Sequence, residues 1–329
     1  MFKFTAFLFS LFSLLSWSAT SAAQPVNKEP IRLVVGFAAG GPSDIAGRIA
    51  AEILSAKLGV SVVVENKAGA SGAIAADVVA NSKPDGNTLL VNVTADIVNP
   101  VINRDPKSLI TTRFAPVALI ATAPNVLVVH PSLPVNSAKE LVEFVRSKKA
   151  DNSLSYASAG LGTVSHLSGL LFTSATGASI VHVPYKGTAP AMTDLIGGQV
   201  DLMCDQTTTT IPQIEGKKVK SYAVTTPARL SSPVLKDTPT LQEAGFKDFT
   251  VTIWQGLYAP KGTPAPVLKK LNDALRVAVK DPEFIRKQDA GGASVISDNR
   301  VDPAGHKAFV LAEMAKWAPV IKASGVYAD

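Results

Sequence analysis

The sequence predicts an α/β protein of two domains, and three observations carry that expectation. A strand, a small-residue loop and a helix start recur in that order in both halves of the chain, first over 31–48 (IRLVVGFAAGGPSDIAGR) and again over 154–171. Hydrophobic residues make up 47% of the chain against 18% charged, enough for a large core. About 305 residues remain once an N-terminal export segment is set aside, which suits two domains of roughly 100–200 residues each.

That segment comes first. Lys3 supplies a short positive region, 4–17 is apolar with interspersed serines, and Ser21-Ala22-Ala23 offers small residues for cleavage before Gln24. The apolar run falls short of the roughly 20 residues a spanning helix needs, so 1–23 reads as a secretory signal peptide rather than an anchor. No cysteine lies near the cleavage point to carry a lipid.

Ile31, Leu33, Val34 and Val35 then form a run of strand length, interrupted by the turn-forming residues 36–41. Pro42, Ser43 and Asp44 are helix-start residues. Ile45, Ile49 and Ile53 recur every four positions, which predicts the buried face of a helix closed by Gly59. Strand, glycine loop and helix N-terminus together present unpaired N–H groups and a positive dipole end to an anion. The same glycines also serve plain turn geometry, and both readings stand at this point. The spacing fits neither Gly-x-Gly-x-x-Gly nor a phosphate loop ending in Gly-Lys-Ser/Thr, which disfavours a nucleotide.

Further along, 60–65 reads as a strand, 66–71 as a loop, 73–81 as a helix stopped by Pro84-Asp85-Gly86, and 88–93 as a strand with 94–99 at its carboxyl end. This βαβαβ alternation implies a mostly parallel sheet whose ligands collect at the strands' carboxyl ends. Two β-branched runs, 117–120 and 126–129, are broken by Thr122-Ala123-Pro124, and a domain crossover is expected there. Ser137 to Glu140 is a capping box ahead of a helix with Leu141, Phe144 and Val145 inside. A strand at 154–157, the loop 158–163 and a helix carrying Leu167, Leu170 and Leu171 repeat the opening unit, so the two units could face one another across a cleft. Strands at 180–183, 200–205 and 221–225, with a helix at 188–196, complete a second series. A long strand over 249–259 returns to the first domain. Helices at 266–279, 282–287 and 303–324 follow, the last with Phe309, Met314, Trp317 and Ile321 inside.

Composition excludes several classes. Net charge is +6, or +5 without Lys3, and the longest basic tract is Lys217-Lys218-Val219-Lys220, too short for a nucleic-acid face. Cys204 is the only cysteine, so there is no disulfide, and its apolar run marks a buried small hydrophobe rather than a nucleophile. His130, His166, His182 and His306 form no metal-ligand spacing, and no metal or cofactor is expected. His182 sits mid-strand among valines, whereas His166 lies one turn into a helix and is either an anion contact or a structural histidine. No Gly-x-Ser-x-Gly is present. Ser158 or Ser165 with His166 and Asp205 would supply the residue types of a hydrolase triad only if the fold brought them together. Asp44 reads as a helix cap, Asp205 as an orienting group for the loop 206–210 or an acceptor for a ligand donor, and Lys186 as a cation at a strand end or a solvated side chain.

Several longer stretches stand out: GGPSD, VVVENKAGASG, PDG, APNVLVVHPSLPV, YASAGLGT-x-x-H, HVPYKGTAPAMTDLIGGQVDLM and YAPKGTP. Together they resemble the tripartite tricarboxylate transporter substrate-binding family, also called the Bug family of periplasmic receptors, over essentially the whole mature chain. The resemblance implies a type II periplasmic-binding-protein-like fold, with two α/β lobes joined by crossing strands and a ligand cleft between them. The lobes are expected at 24–122 with 253–329 and at 123–252. It also implies capture of a small organic carboxylate (mono-, di- or tricarboxylate) for a membrane permease, by a periplasmic monomer with no chemistry of its own, through main-chain groups and ordered water. By position, the implied ligand contacts are Phe37, Gly41, Ser43, Asp44 and Thr94 on the first lobe. On the second they are Ser158, Gly160, Gly162, Thr163, His166, Tyr185 and Asp205. Ala38, Ala39, Leu161 and Cys204 depart from the family's usual residues, so ligand identity does not transfer. A secreted serine hydrolase and a ligand-presenting sensor for a signalling partner are the rival readings.

Overall fold

The computed structural model describes residues 29–102, 104, 110–148, 153–246 and 249–324, so the expected signal peptide lies outside the described residues. The first series runs β1 (Ile31–Val35), α1 (Pro42–Leu58), β2 (Val62–Asn66), α2 (Ala73–Ala80), β3 (Thr88–Val93), α3 (Ala95–Ile102) and α4 (Ile110–Arg113). β1 lies between β2 and β3 and is parallel to both.

α1 ends as expected, with Gly59 in the left-handed region and its N–H bonded to Ser55. Its deepest face is not the expected isoleucine stripe. Ile53 is buried as expected, but Ile45 and Ile49 are only half-buried, while Ala46, Gly47, Ala50, Ala51 and Leu54 are buried. A Cβ on Gly47 would come within 3.1 Å of Val35 and 3.4 Å of Val91, so small residues let the helix approach the strands closely.

β4 (Phe114–Val129) is one strand of 16 residues where two broken runs were expected. Pro124, which has no N–H to give to a ladder, stands where the strand changes partner. Up to that point β4 pairs antiparallel with β9 (Thr252–Pro260), and from Asn125 onward with β7 (Leu202–Gln206). The strand is therefore shared by two sheets.

The second series contains α5 (Ala138–Ser147), β5 (Leu154–Ser158), α6 (Val164–Thr176), β6 (Ile180–Pro184), α7 (Thr188–Ile196), β7, α8 (Thr207–Glu215) and β8 (Lys220–Val224). β5 is parallel to β6 and β7, and β4 carries β8 antiparallel on its other side. The capping box is present: Ser137 Oγ accepts from the Glu140 N–H at 3.1 Å, and Glu140 accepts from the Asn136 N–H at 2.9 Å. α8 replaces the loop expected over 206–210. Four consecutive threonines favour strands by propensity, but Thr209 donates to the Asp205 carboxylate and Thr210 donates back to the Gln206 carbonyl, which accommodates their hydroxyls inside a helix. α3 was likewise read only as a strand end.

β9 returns to lie antiparallel between β3 and β4. α9 (Ala265–Ala278), α10 (Pro282–Ala290), the short β10 (Ser294–Val295) and α11 (Pro303–Ser324) complete the fold, with β10 pairing with β4 and α11 packing on β4 and α3. Strands are parallel within each βα series and antiparallel where β4, β8, β9 and β10 join. Among the described residues no helix is long and apolar enough to cross a membrane.

Candidate functional site

Five helices begin at the carboxyl ends of strands, and their first residues meet around one cavity. It is lined by Phe37, by Pro42 and Ser43 of α1, by Val93 and Ala95 at the start of α3, and by Ala159, Thr163, Val164 and Ser165 at the start of α6. Thr188 opens α7, Asp205 and Gln206 precede α8, and Asn125 and Ile253 come from the crossing strands. Counted to its open mouth the space is about 410 Å³, but only about 30 Å³ of it admits the centre of a water-sized sphere, so the walls stand close together. First-turn N–H groups have no carbonyl one turn back to bond, so the helix starts bring donors and a partial positive charge to the cavity wall, save where Thr163 already accepts from the His166 N–H and Asp205 from the Gln206 N–H. None of the lining residues is Lys, Arg or His, and Asp205 is the only ionisable one.

The first wall owes its shape to Asp44. Its Oδ2 accepts from the Gly40 N–H at 2.9 Å and from Arg48 Nε at 2.8 Å, and its Oδ1 accepts from Asn66 Nδ2 at 3.0 Å. Asn66 also donates to the Phe37 carbonyl at 3.0 Å. Burial pushes the Asp44 carboxyl up, but those hydrogen bonds and the charge of Arg48 outweigh it and hold the pKa below the usual range. Asp44 is thus a clamp behind the glycine loop. The N-cap itself is Gly41, which has extended backbone and no side chain to cap with.

In the second wall the hydroxyls bond inward. Thr163 Oγ1 donates to the Gly160 carbonyl at 2.6 Å and accepts from the His166 N–H at 3.3 Å. Having spent its proton there, Thr163 accepts from Ser165 in their 3.0 Å contact, while Ser165 Oγ accepts from the Ala159 N–H at 2.9 Å. Asp205 Oδ2 accepts from Thr209 Oγ1 at 2.9 Å, and its carboxyl is also held by Thr188 and the Gln206 N–H. Burial raises its pKa to about 6 against those bonds.

Of the residues implied by resemblance, Phe37, Ser43, Thr163 and Asp205 line the cavity, while Gly41, Asp44, Thr94, Ser158, Gly160, Gly162, His166 and Tyr185 stand beside or behind it. Thr94 is fully buried, and its carbonyl caps α3 by accepting from the Ile97 and Val98 N–H groups. Ser158 Oγ lies 2.6 Å from His182 Nε2, and His166 Nδ1 accepts from the Gly162 N–H at 3.0 Å. The His166 and His182 rings stack at 4.4 Å; burial and the nearby His182 lower the His166 pKa to about 4, so it is neutral at pH 7 and supplies no positive charge. Tyr185 donates to Asp194 at 2.7 Å.

Gly160 and Gly162 belong to a contact between the two series. A Cβ on Gly160 would sit 2.7 Å from Ser71 Oγ, and one on Gly162 would sit 2.5 Å from Asn99 Oδ1. The rival triad is not assembled: Ser158 bonds His182 rather than His166, and Asp205 bonds threonines rather than a histidine. Lys186 is exposed outside the cavity, Cys204 is buried with its thiol pushed up to about 12, and among the described residues no cluster of His, Cys, Asp or Glu could hold a metal.

Sequence reasoning missed Thr188 and Ala95, although the strand-to-helix rhythm at 184–188 repeats the other units and pointed to the first of them. It also missed Asn125, Gln206 and Ile253. No local motif marks these, because they enter the cavity only through the way β4, β7 and β9 pass one another.

Residues 46–326 match the family model described as the tripartite tricarboxylate transporter family receptor. The fold superposes on periplasmic binding protein BugD with a TM-score of 0.85 at 42% identity, covering 91% of this chain and 98% of that one. A Rhodopseudomonas palustris protein solved with adipate aligns at a TM-score of 0.83 and 34% identity, covering 90% and 97%. MatC from the same organism, solved with bound malate, aligns at 0.81 and 34% identity, covering 89% and 98%.

Proposed function

The chain belongs to the tripartite tricarboxylate transporter receptor family, and from that premise we propose that it is a periplasmic solute receptor that captures a small organic carboxylate and delivers it to the membrane permease of a tripartite transporter. One observation supports the carboxylate most directly. Five helix N-termini surround a cavity lined by no cationic side chain, so an anion there is bound by backbone donors and dipoles rather than by an arginine clamp. The relatives solved with adipate and with malate are consistent with that chemistry.

Capture works by closure. The first series carries two of the five helix starts and the second three, and the carboxylate pairs with all of them only when the two sides meet. We put the hinge where β4 changes partner after Pro124 and where β9 begins, and the lobes at 24–122 with 253–329 and at 123–252; the change of strand partner at Pro124 supports this division.

Thermal-shift screening of the exported protein with mono-, di- and tricarboxylates, followed by calorimetry, tests the reading. At least one carboxylate should raise Tm by several degrees and bind with a Kd in the micromolar range or below, while an ester substrate is not turned over. Turnover that depends on Ser158 or Ser165, with no stable carboxylate complex, would overturn it.

A further inference from the structure

Asn125 is the one cavity-lining residue whose side-chain amide has neither of its polar atoms engaged by the protein. It is 1% exposed, and both Nδ2 and Oδ1 lack a hydrogen-bond partner among the described residues. Its main chain is fully committed: the N–H donates to Thr225 Oγ1 at 3.1 Å, and the carbonyl accepts from the Thr225 N–H at 3.0 Å. A buried amide is retained where something completes its hydrogen bonds, and here the open direction is the cavity.

The neighbouring amides point the same way. Gln206 is the register partner of Asn125 across β4 and β7, so the two side chains share one face of the sheet, and both line the cavity. Gln255 of β9 donates from Nε2 to Gln206 Oε1 at 2.9 Å, which occupies the Gln206 oxygen and leaves its NH₂ group as the donor end.

The helix N-termini offer donors only and suit a carboxylate. An amide that both donates and accepts suits a second group. We propose that Asn125, held on the crossing strand beside Gln206, binds the second hydrogen-bonding oxygen group of the ligand. The ligand class is therefore a carboxylate bearing a further carboxylate or hydroxyl, with Asn125 Nδ2 donating to the former and Oδ1 accepting from the latter. The inference rests on the anion reading above and assigns the residue that distinguishes such acids from plain fatty acids. Because Asn125 lies next to Pro124, where β4 passes from one sheet to the other, the second group is read at the hinge itself.

Calorimetry with chain-length-matched pairs, succinate against butyrate and adipate against hexanoate, tests it. Wild-type protein should favour the diacid of at least one pair by tenfold or more. That ratio should fall to near one in Asn125→Leu and drop further in the near-isosteric Asn125→Asp, which places a negative charge against the second carboxylate. A wild-type ratio near one, or a ratio unmoved by Asn125→Asp, would overturn the assignment while leaving the anion reading intact. If none of the four acids bound, both readings would fall together. Circular-dichroism melting checks the fold of each variant, and if the leucine variant does not fold, the aspartate variant decides.

Discussion

At the scale of single residues, the site's only ionisable wall group sets its pH response. Asp205 is held near pKa 6, raised by burial and partly restored by the Thr209, Thr188 and Gln206 donors. A carboxylate bound beside it raises that pKa further, so binding takes up a proton wherever free Asp205 is ionised. Affinity is therefore expected to strengthen by up to tenfold per unit as pH falls from 8 toward about 6, and to level off below. Calorimetry at several pH values checks this, and Asp205→Asn should flatten the profile; a slope that survives the substitution would assign the proton elsewhere. Residue types alone could not forecast this. Asp44 reads as a cap but instead ties the glycine loop to Arg48 and Asn66, whereas Asp205, read as an orienting group for 206–210, accepts from Thr209 in that segment and from Thr188.

At the scale of elements, the helix starts bring N–H groups to the cavity wall, and the loops ahead of them meet between the two series. Gly162 has φ +73°, and a Cβ there would meet Asn99 Oδ1 at 2.5 Å and Ile102 Cδ1 at 3.0 Å. Across from its neighbour Gly160 stands Ser71, itself at φ 50°, whose carbonyl accepts from Asn99 at 3.0 Å. These glycines let loops of the two series touch. Gly162→Ala should therefore cost about 1–2 kcal/mol from its left-handed backbone, a Tm loss of a few degrees, but weaken ligand binding by at least tenfold because the closed contact is blocked. Differential scanning calorimetry and ligand titration on one preparation measure both, and unaltered affinity would detach this loop from closure. The repeated strand, loop and helix units were legible because glycine, proline and apolar spacing are local signals. α8 was not: 206–210 reads as a loop, since a run of threonines disfavours a helix until the Asp205 carboxylate and the Gln206 carbonyl are there to receive their hydroxyls.

At the scale of the whole molecule, burial pulls titratable groups in opposite directions. It lowers His166 to about 4 and His306 to about 3, and raises Asp96 to about 7 and Asp205 to about 6. A histidine held neutral costs stability as pH falls below its unfolded value near 6.5. A carboxyl held protonated adds stability below its unfolded value near 3.8 and loses it as pH rises through the folded one. Between pH 4 and 6 the two pairs oppose each other. Asp96→Asn removes one carboxyl, so relative to wild type it should lose about 1.4 kcal/mol for each unit of pH decrease between 7 and 4. Urea unfolding across that range checks the sign, and a constant difference would mean that Asp96 titrates normally. The sequence by itself determined the α/β class, the twin loop-helix units and the family, because turn chemistry, periodicity and long motifs are written in neighbouring residues. Only the tertiary structure decided that Asn125, Thr188 and Gln206 line the cavity while Gly162 and His166 stand behind its wall. Those assignments depend on how β4 and β9 pass between two sheets, and on which donors packing has already consumed, and neither is a property of any stretch of chain taken alone.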